Sequence, residues 1–379
     1  MGCFIIAPDS FKGTLEAREI CDILAEVIRK LVPEAEIVKI PMSDGGEGMV
    51  DAYLDLLGGR KRTARVTGPR GEAVDCPYGI LPNDTAVMEM AGCAGLPMMQ
   101  GQLDPLHATT YGVGEMLVQL SASGCRKLLM GIGGSATNDC GAGMAAALGY
   151  VFLDEAGQAV EPYACNLGKI RHIQRPEALP ELEITVACDV DNPLCGQRGA
   201  SAVFGPQKGL KPEQIGPMDE AVRSFASVIK AELGADILHV PGAGAAGGLG
   251  GALLAFCGAK LLPGIEMLLD AAQIDRLMED AELIITGEGR IDGQSAAGKV
   301  PVGVGRRALK AGRPCIAICG CIGDGAEAVL KEGISAYYAS SDGEQSMEEL
   351  IKTCRPSLRK TAEEAISGFL ARSARSETQ

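Results

Sequence analysis

The 379-residue sequence contains no tryptophan, and aromatic residues make up only 4% of it. Its core must therefore be mainly aliphatic, built from Val, Ile, Leu, Ala and Met. Histidine occurs three times, as His107, His172 and His239, in none of the spacings that serine hydrolases or zinc enzymes require. His107 lies in a loop ahead of a helix and reads as a surface group. No long basic run is present and the formal net charge is −14, which argues against nucleic acid or an anionic membrane as a partner. No apolar run is long enough to span a bilayer. The apolar part of the N-terminal "MGCFIIAPDS" is too short for a signal peptide. Ile6 also stands where a myristoylation signal requires Ser or Thr. Among the 14 cysteines there is no Cys-x-x-Cys pair. Cys315, Cys319 and Cys321 share strand parity and would fit a metal, but buried reduced thiols are the simpler reading. The chain reads as a cytoplasmic protein.

What is present is a hydrophobic fraction of 46% against 22% charged residues, over a length that suits about two domains of roughly 150 residues each. At both ends the pattern is strand, helix, strand. "CFIIAP" is a buried strand. "TLEAREICDILAEVIRKL" is an amphipathic helix with Thr14 as its expected N-cap. "ELIITGEG", "PCIAICG" and "ISAYYAS" alternate with the helical "VPVGVGRRALKAG" and "GDGAEAVLKEG". A last helix from about Met347 should be interrupted at Pro356. Between the ends, Arg60 to Met90 reads as an antiparallel meander, and a long amphipathic helix lies near Met218–Leu233. The expected fold class is α/β: a doubly wound parallel-sheet domain built from both termini (1–65 and 281–379), carrying an inserted second α/β domain (66–280) with a mixed sheet. The cleft between the two would be the default site.

The chemistry concentrates where strands end. "FIIAPDSFKG", "VKIPMSDGGEG", "LLMGIGGSATND", "ITVACDVDN" and "LIITGEGRID" each run from a strand into a polar, acid-bearing loop. Open α/β sheets bind ligands beyond the carboxyl ends of their strands. This makes Asp9, Asp44, Glu47, Asp139, Asp189, Asp191, Glu288 and Asp292 candidates. So many carboxylates would repel one another unless a divalent cation joined them, and magnesium suits oxygen ligands. Asp9 and Asp44 serve equally well as turn or capping residues, and Asp139 is well placed to cap the helix that follows it. Asp189 and Asp191 fall on one side if the extended geometry continues.

Three glycine loops stand out. "GQSAAGKV" has the Gly-x-x-x-x-Gly-Lys spacing, but Val300 replaces the Ser or Thr of a phosphate loop. Only Lys299 is retained, as a phosphate cation. "GAGAAG" opens a helix but lacks the second strand and acid of a dinucleotide site, so close packing explains it better. "GIGGSATNDCGAGMAAALG" places Gly133, Gly134, Ser135 and Thr137 ahead of a helix, where freed N–H groups and hydroxyls favour an anion. The loop has no lysine of its own.

Together "APDSFKGTLEA", "PMSDGGEGMVDA", "GIGGSATNDCGAGMAAALG", "CDVDNPLCGQRGAS", "FGPQKG", "PGAGAAGGLGG" and "TGEGRIDGQSAAGKVPVGV" resemble the bacterial glycerate kinase family, type 1, in order and over nearly the whole chain. The resemblance implies a flavodoxin-like domain with an inserted domain. It implies ATP-dependent phosphorylation of D-glycerate, mostly at the 2-hydroxyl in this branch, in glyoxylate or sugar-acid catabolism. ATP and Mg2+ are then expected as cosubstrate and cofactor, and D-glycerate and ATP as partners, with a homodimer left open. Within that reaction Asp189 is expected as general base, and Asp191, Asp189 and Asp44 as metal ligands. Lys12, Arg290 and Lys299 are the expected cations, with Arg290 favoured for the glycerate carboxylate. Ser10, Ser43, Asp44, Gly45, Gly133, Gly134, Ser135 and Asp292 complete the expected binding set. Other outcomes kept open are another small hydroxy acid, 3-phosphoglycerate as product, a nucleotide-dependent dehydrogenase and a sugar-acid sensor.

Overall fold

The computed structural model describes residues 2–11, 13–42, 48–295 and 298–376, with side chains to residue 373. Its strands are β1 (Cys3–Pro8), β2 (Glu36–Lys39), β3 (Arg60–Thr67), β4 (Ala73–Ile80), β5 (Thr85–Glu89), β6 (Lys127–Gly131), β7 (Val151–Leu153), β8 (His172–Gln174), β9 (Glu183–Ala187), β10 (Lys260–Leu262), β11 (Ala281–Gly287), β12 (Arg290–Ile291), β13 (Cys315–Cys319), β14 (Cys321–Ile322) and β15 (Ala336–Ala339). The chain forms two compact units, one of Met1–Asp44 with Ile265–Gln379 and one of Gly45–Gly264.

In the first unit a five-stranded sheet runs β2-β1-β11-β13-β15, with every pair parallel. Counted within the sheet this is the order 2-1-3-4-5, the flavodoxin-like arrangement. Parallel strands covered on both faces read as continuous apolar runs, as β1 does: Phe4, Ile5, Ile6 and Ala7 are all fully buried. Phe4, Ile6, Leu283, Ile285, Ile316 and Ile318 form one face. On it pack Ile20 and Leu24 of the helix Ala17–Leu31 and Leu358, Ala362 and Ile366 of the helix Met347–Ser376. The helix Val300–Lys310 packs against β11, β13 and β1 outside that cluster.

Four local expectations change. Thr14 does not cap the first helix; its hydroxyl donates to Phe11 O at 2.9 Å within a tight turn, and Glu16 stands at the N-cap. The last helix continues through Pro356, because buried Cys354 and Leu358 hold both of its flanks against the sheet. "GDGAEAVLKEG" forms a 3-10 helix, Ala326–Glu332. The chain leaves β13 at Gly320, so Cys321 lies on a separate short strand, β14, paired with β12. Burial pushes the Cys319 thiol up to about 12 and Cys315 higher still, which leaves them as unreactive apolar groups.

The second unit contains a mixed six-stranded sheet, β10-β9-β6-β5-β4-β3. It is parallel from β10 to β5, and antiparallel through β4 and β3. The antiparallel part is the meander expected from Arg60 to Met90. Three phenylalanines cluster in its core: Phe152 stands edge-on to Phe225 at 5.4 Å and to Phe256 at 6.3 Å.

The units divide at 44/45 and 264/265 rather than at 65/66 and 280/281. The helix Met49–Leu57 packs on β4 and β5, and β3 pairs along its length with β4. At the other end, Arg307 reaches Glu266 at 2.5 Å, Asp270 at 2.7 Å and Asp275 at 3.0 Å. That fork fixes residues 265–278 to the first unit.

The "GAGAAG" loop has a packing role. Gly247 has φ +67°, and a Cβ there would lie 2.0 Å from Thr137 O. Gly247→Ala is expected to cost about 1–2 kcal/mol for the left-handed backbone and more for the clash, and to lower activity by shifting Thr137. Gly157→Ala, with φ +76° and open space around it, should show the backbone cost alone. Urea midpoints of the two variants separate the two effects.

Candidate functional site

In the first unit the strand order reverses between β1 and β11, where ligands bind in such sheets. Asp9 follows β1 and Glu288 follows β11. Asp9 N donates to Gly287 O at 2.8 Å, which carries the pairing to the last residue before each acid's loop. A pocket of about 350 Å³ opens here, lined by Asp9, Ser10, Glu288, Arg290 and Lys299, with Met347, Leu350 and Cys354 forming an apolar wall.

Glu288 is 7% exposed. Burial pushes its carboxyl up from the usual range, while Ser295 and Lys299 pull it back. Lys299 Nζ stands 3.7 Å from Glu288 Oε2, and Glu288 Oε1 is buried with no hydrogen-bond partner. Arg290 Nε lies 3.5 Å from Asp292 Oδ2 and the guanidinium remains largely exposed. Asp292 Oδ1 accepts from Gln294 N at 2.9 Å and Ser295 Oγ accepts from Asp292 N at 3.1 Å. These bonds fold the loop so that Lys299 sits at the N-cap of the helix Val300–Lys310. Ser10 N donates to Asp9 Oδ1 at 2.7 Å. The structure thus brings Ser10, Arg290 and Lys299 together with Asp9 and Glu288 around one pocket, and Asp292 braces Arg290. Lys12, Ser43, Asp44, Gly45 and Glu47 lie outside the described residues.

In the second unit the loops after β6 and β9 carry the remaining candidates. Asp139 is fully buried and receives four hydrogen bonds: from Thr110 N and Thr110 Oγ1 at 2.9 and 2.8 Å, and from Gly141 N and Gly143 N at 3.2 Å each. It accepts from the N–H of Gly141, the N-cap of the helix Ala142–Ala147, and of Gly143 in its first turn, and ties that helix end to Thr110. Asp139 therefore supplies the negative charge at the helix end itself, so the anion expected from the sequence at this loop would have to meet the Gly133–Ser135 turn rather than the N–H groups of Gly141 and Gly143. Gly133 and Gly134 are exposed on the outer turn, and Ser135 is 7% exposed.

Asp189 and Asp191 are both exposed. Asp189 Oδ1 accepts from Gly264 N at 2.9 Å. Asp191 pairs with Arg198 at 2.6 Å, and this hydrogen bond holds its carboxyl below the usual range. The chain is irregular after Ala187, so the continued strand geometry assumed for the two acids is absent. Among the described residues no three metal-ligating side chains cluster.

Lys208 was missed by sequence reasoning. It is 1% exposed and donates to Ser135 Oγ and to Thr137 O, each at 2.7 Å. The loop that lacks a lysine in sequence therefore receives one from "FGPQKG". The signal was a lysine between Gly-Pro-Gln and Gly, in a short turn with no obvious solvent face.

The glycerate kinase family model matches residues 4–370. The chain is 44% identical over 340 residues to the glycerate 2-kinase of Escherichia coli K12, covering 88% of this chain and 89% of that protein. It is 42% identical over 360 residues to the glycerate kinase of Halalkalibacterium halodurans, covering 93% and 94%. A solved structure described as glycerate kinase 2 of Salmonella typhimurium LT2 superposes with a TM-score of 0.84 at 39% identity, covering 98% of this chain and 99% of that one. No described helix is long and apolar enough to cross a membrane. The chain belongs to the glycerate kinase family, whose members are ATP-dependent kinases.

Proposed function

We propose that the chain transfers the γ-phosphoryl group of magnesium-ATP to the 2-hydroxyl of D-glycerate, giving 2-phosphoglycerate and ADP. The observation that carries this reading is the switch-point pocket, where the buried Glu288, with one oxygen unpartnered, stands beside Lys299 and the exposed Arg290. Cations there suit phosphate and carboxylate oxygens. The E. coli relative's name supports the choice of the 2-hydroxyl.

Asp9 and Glu288 are the described groups that fit magnesium: both are oxygen donors on one pocket, and Glu288 Oε1 lacks a partner. The ion, when bound, supplies charge neutralisation at the phosphoryl group. Asp44, Asp189 and Asp191 remain proposed metal ligands. Asp191, held ionised by Arg198, is a weak proton acceptor. Asp189 is the proposed general base. Lys12 and Lys299 are assigned to phosphate oxygens and Arg290 to the glycerate carboxylate, with Ser10, Ser43 and Gly45 as proposed further donors.

A coupled assay with enolase, but without phosphoglycerate mutase, tests the product. Phosphoenolpyruvate is expected directly; a signal that needs the mutase would mean 3-phosphoglycerate. Glu288→Gln, which keeps the shape and removes the charge, is expected to lower kcat at least about 10²-fold and to raise the magnesium needed for half-maximal rate. Asp189→Asn is expected to lower kcat by about 10²–10⁴-fold, the range for loss of a positioned base, with an unchanged melting curve. Near-normal kcat in Asp189→Asn would reassign the base.

A further inference from the structure

Lys208 carries a charge into the interior of the second unit, yet among the described residues no carboxylate forms an ion pair with it. An ammonium group so placed is costly unless its donors are used. Two of its three are, by Ser135 Oγ and Thr137 O at 2.7 Å each. The charge that acts on it is Asp139, which is occupied by Thr110, Gly141 and Gly143.

The first of these bonds has a directional consequence. An ammonium group only donates, so Ser135 Oγ must accept from it. The hydroxyl hydrogen of Ser135 is then left to donate elsewhere, and no described residue accepts it. Gly133 and Gly134, immediately before it, are exposed. In the same loop Thr137 Oγ1 and Asn138 Oδ1 are buried without partners. The loop is thus an arrangement of polar groups that the protein does not itself satisfy, held from beneath by one lysine.

We propose that Lys208 is a positioning residue: its ammonium group fixes Ser135 as a hydrogen-bond donor to an anionic oxygen of a substrate, and the loop binds that oxygen well only while Lys208 is protonated. The chemistry is that of a carboxylate or a phosphate, and the two sources are separated below. The identity of the substrates rests on the function proposed above; the binding claim does not.

Burial brings Lys208 down to about 7, with Asp139 acting the other way. A neutral amine can accept as well as donate, so above that pH the direction of the Ser135 bond is no longer fixed. The binding-competent fraction falls as pH rises, and apparent affinity falls with it. Binding of an anion next to Ser135 favours the ammonium form and so draws in a proton.

The test combines kinetics with binding. In the wild type, kcat/KM for the substrate held by this loop is expected to fall as pH rises from 7 to 9. Lys208→Met should raise KM for that substrate at least tenfold, change kcat less, and remove the fall. A KM effect confined to glycerate assigns the carboxylate; one confined to ATP assigns a phosphate. Ser135→Ala should give a similar rise in KM, and the double variant should be no worse than the poorer single one, since both remove one interaction. Multiplying losses, or a pH profile unchanged in Lys208→Met, would overturn the proposal. Should Lys208→Met not fold, calorimetry on the wild type at pH 8, in two buffers of different ionisation enthalpy, decides without turnover. Proton uptake on binding ATP or glycerate supports the coupling, and none with either refutes it.

Discussion

The first unit depends on one pairing, that of β1 with β11. The parallel register runs from Phe4 opposite Leu283 to Pro8 opposite Gly287. It joins two segments separated by the entire second unit and sets the centre of the sheet. The same register makes Asp9 and Glu288 the next residues beyond it. A slip of one residue would turn Phe4 and Ile6 away from the helices that bury them. The composition of the pocket is therefore a by-product of core packing: the acids stand where they do because the apolar residues behind them can pack in only one way.

The sheet of the first unit was legible because covered parallel strands are short continuous apolar runs, as in "CFIIAP" and "ELIITG". The meander was legible from its turns. The unit boundaries were not. β3 follows a helix just as a strand of the first sheet would, and only its pairing with β4 assigns it elsewhere. Residues 265–278 are placed by Arg307, whose acidic partners precede it by more than thirty residues. The switch-point groups were visible as strand-end motifs. Lys208 was not, because its role lies in a contact with Ser135 across 73 residues. Asp139 was read correctly as a cap, yet the helix end behind it was also credited to a ligand, and one carboxylate removes that vacancy.

Three buried charged groups form a series. Asp139 is fully buried and receives four donors; it is architecture. Lys208 uses two of three donors and steadies a loop whose other groups are unpartnered. Glu288 has one cation near one oxygen and, among the described residues, no hydrogen-bond partner on the other. Burial raises the cost of a charge in all three, so the degree to which each is left unsatisfied distinguishes what holds the fold from what is available to a ligand.

The division of the chain also orders events during synthesis. The ribosome delivers β1 and β2 first, then the whole of Gly45–Gly264, and only afterwards β11. At about 5–20 residues per second, the apolar strand Phe4–Ala7 waits roughly fifteen to fifty-five seconds for its central neighbour. The inserted unit, continuous in sequence, is complete before that. The nascent chain therefore carries a folded middle and an unsatisfied beginning. Its period of greatest exposure to chaperones and aggregation ends when residues 281–287 clear the exit tunnel.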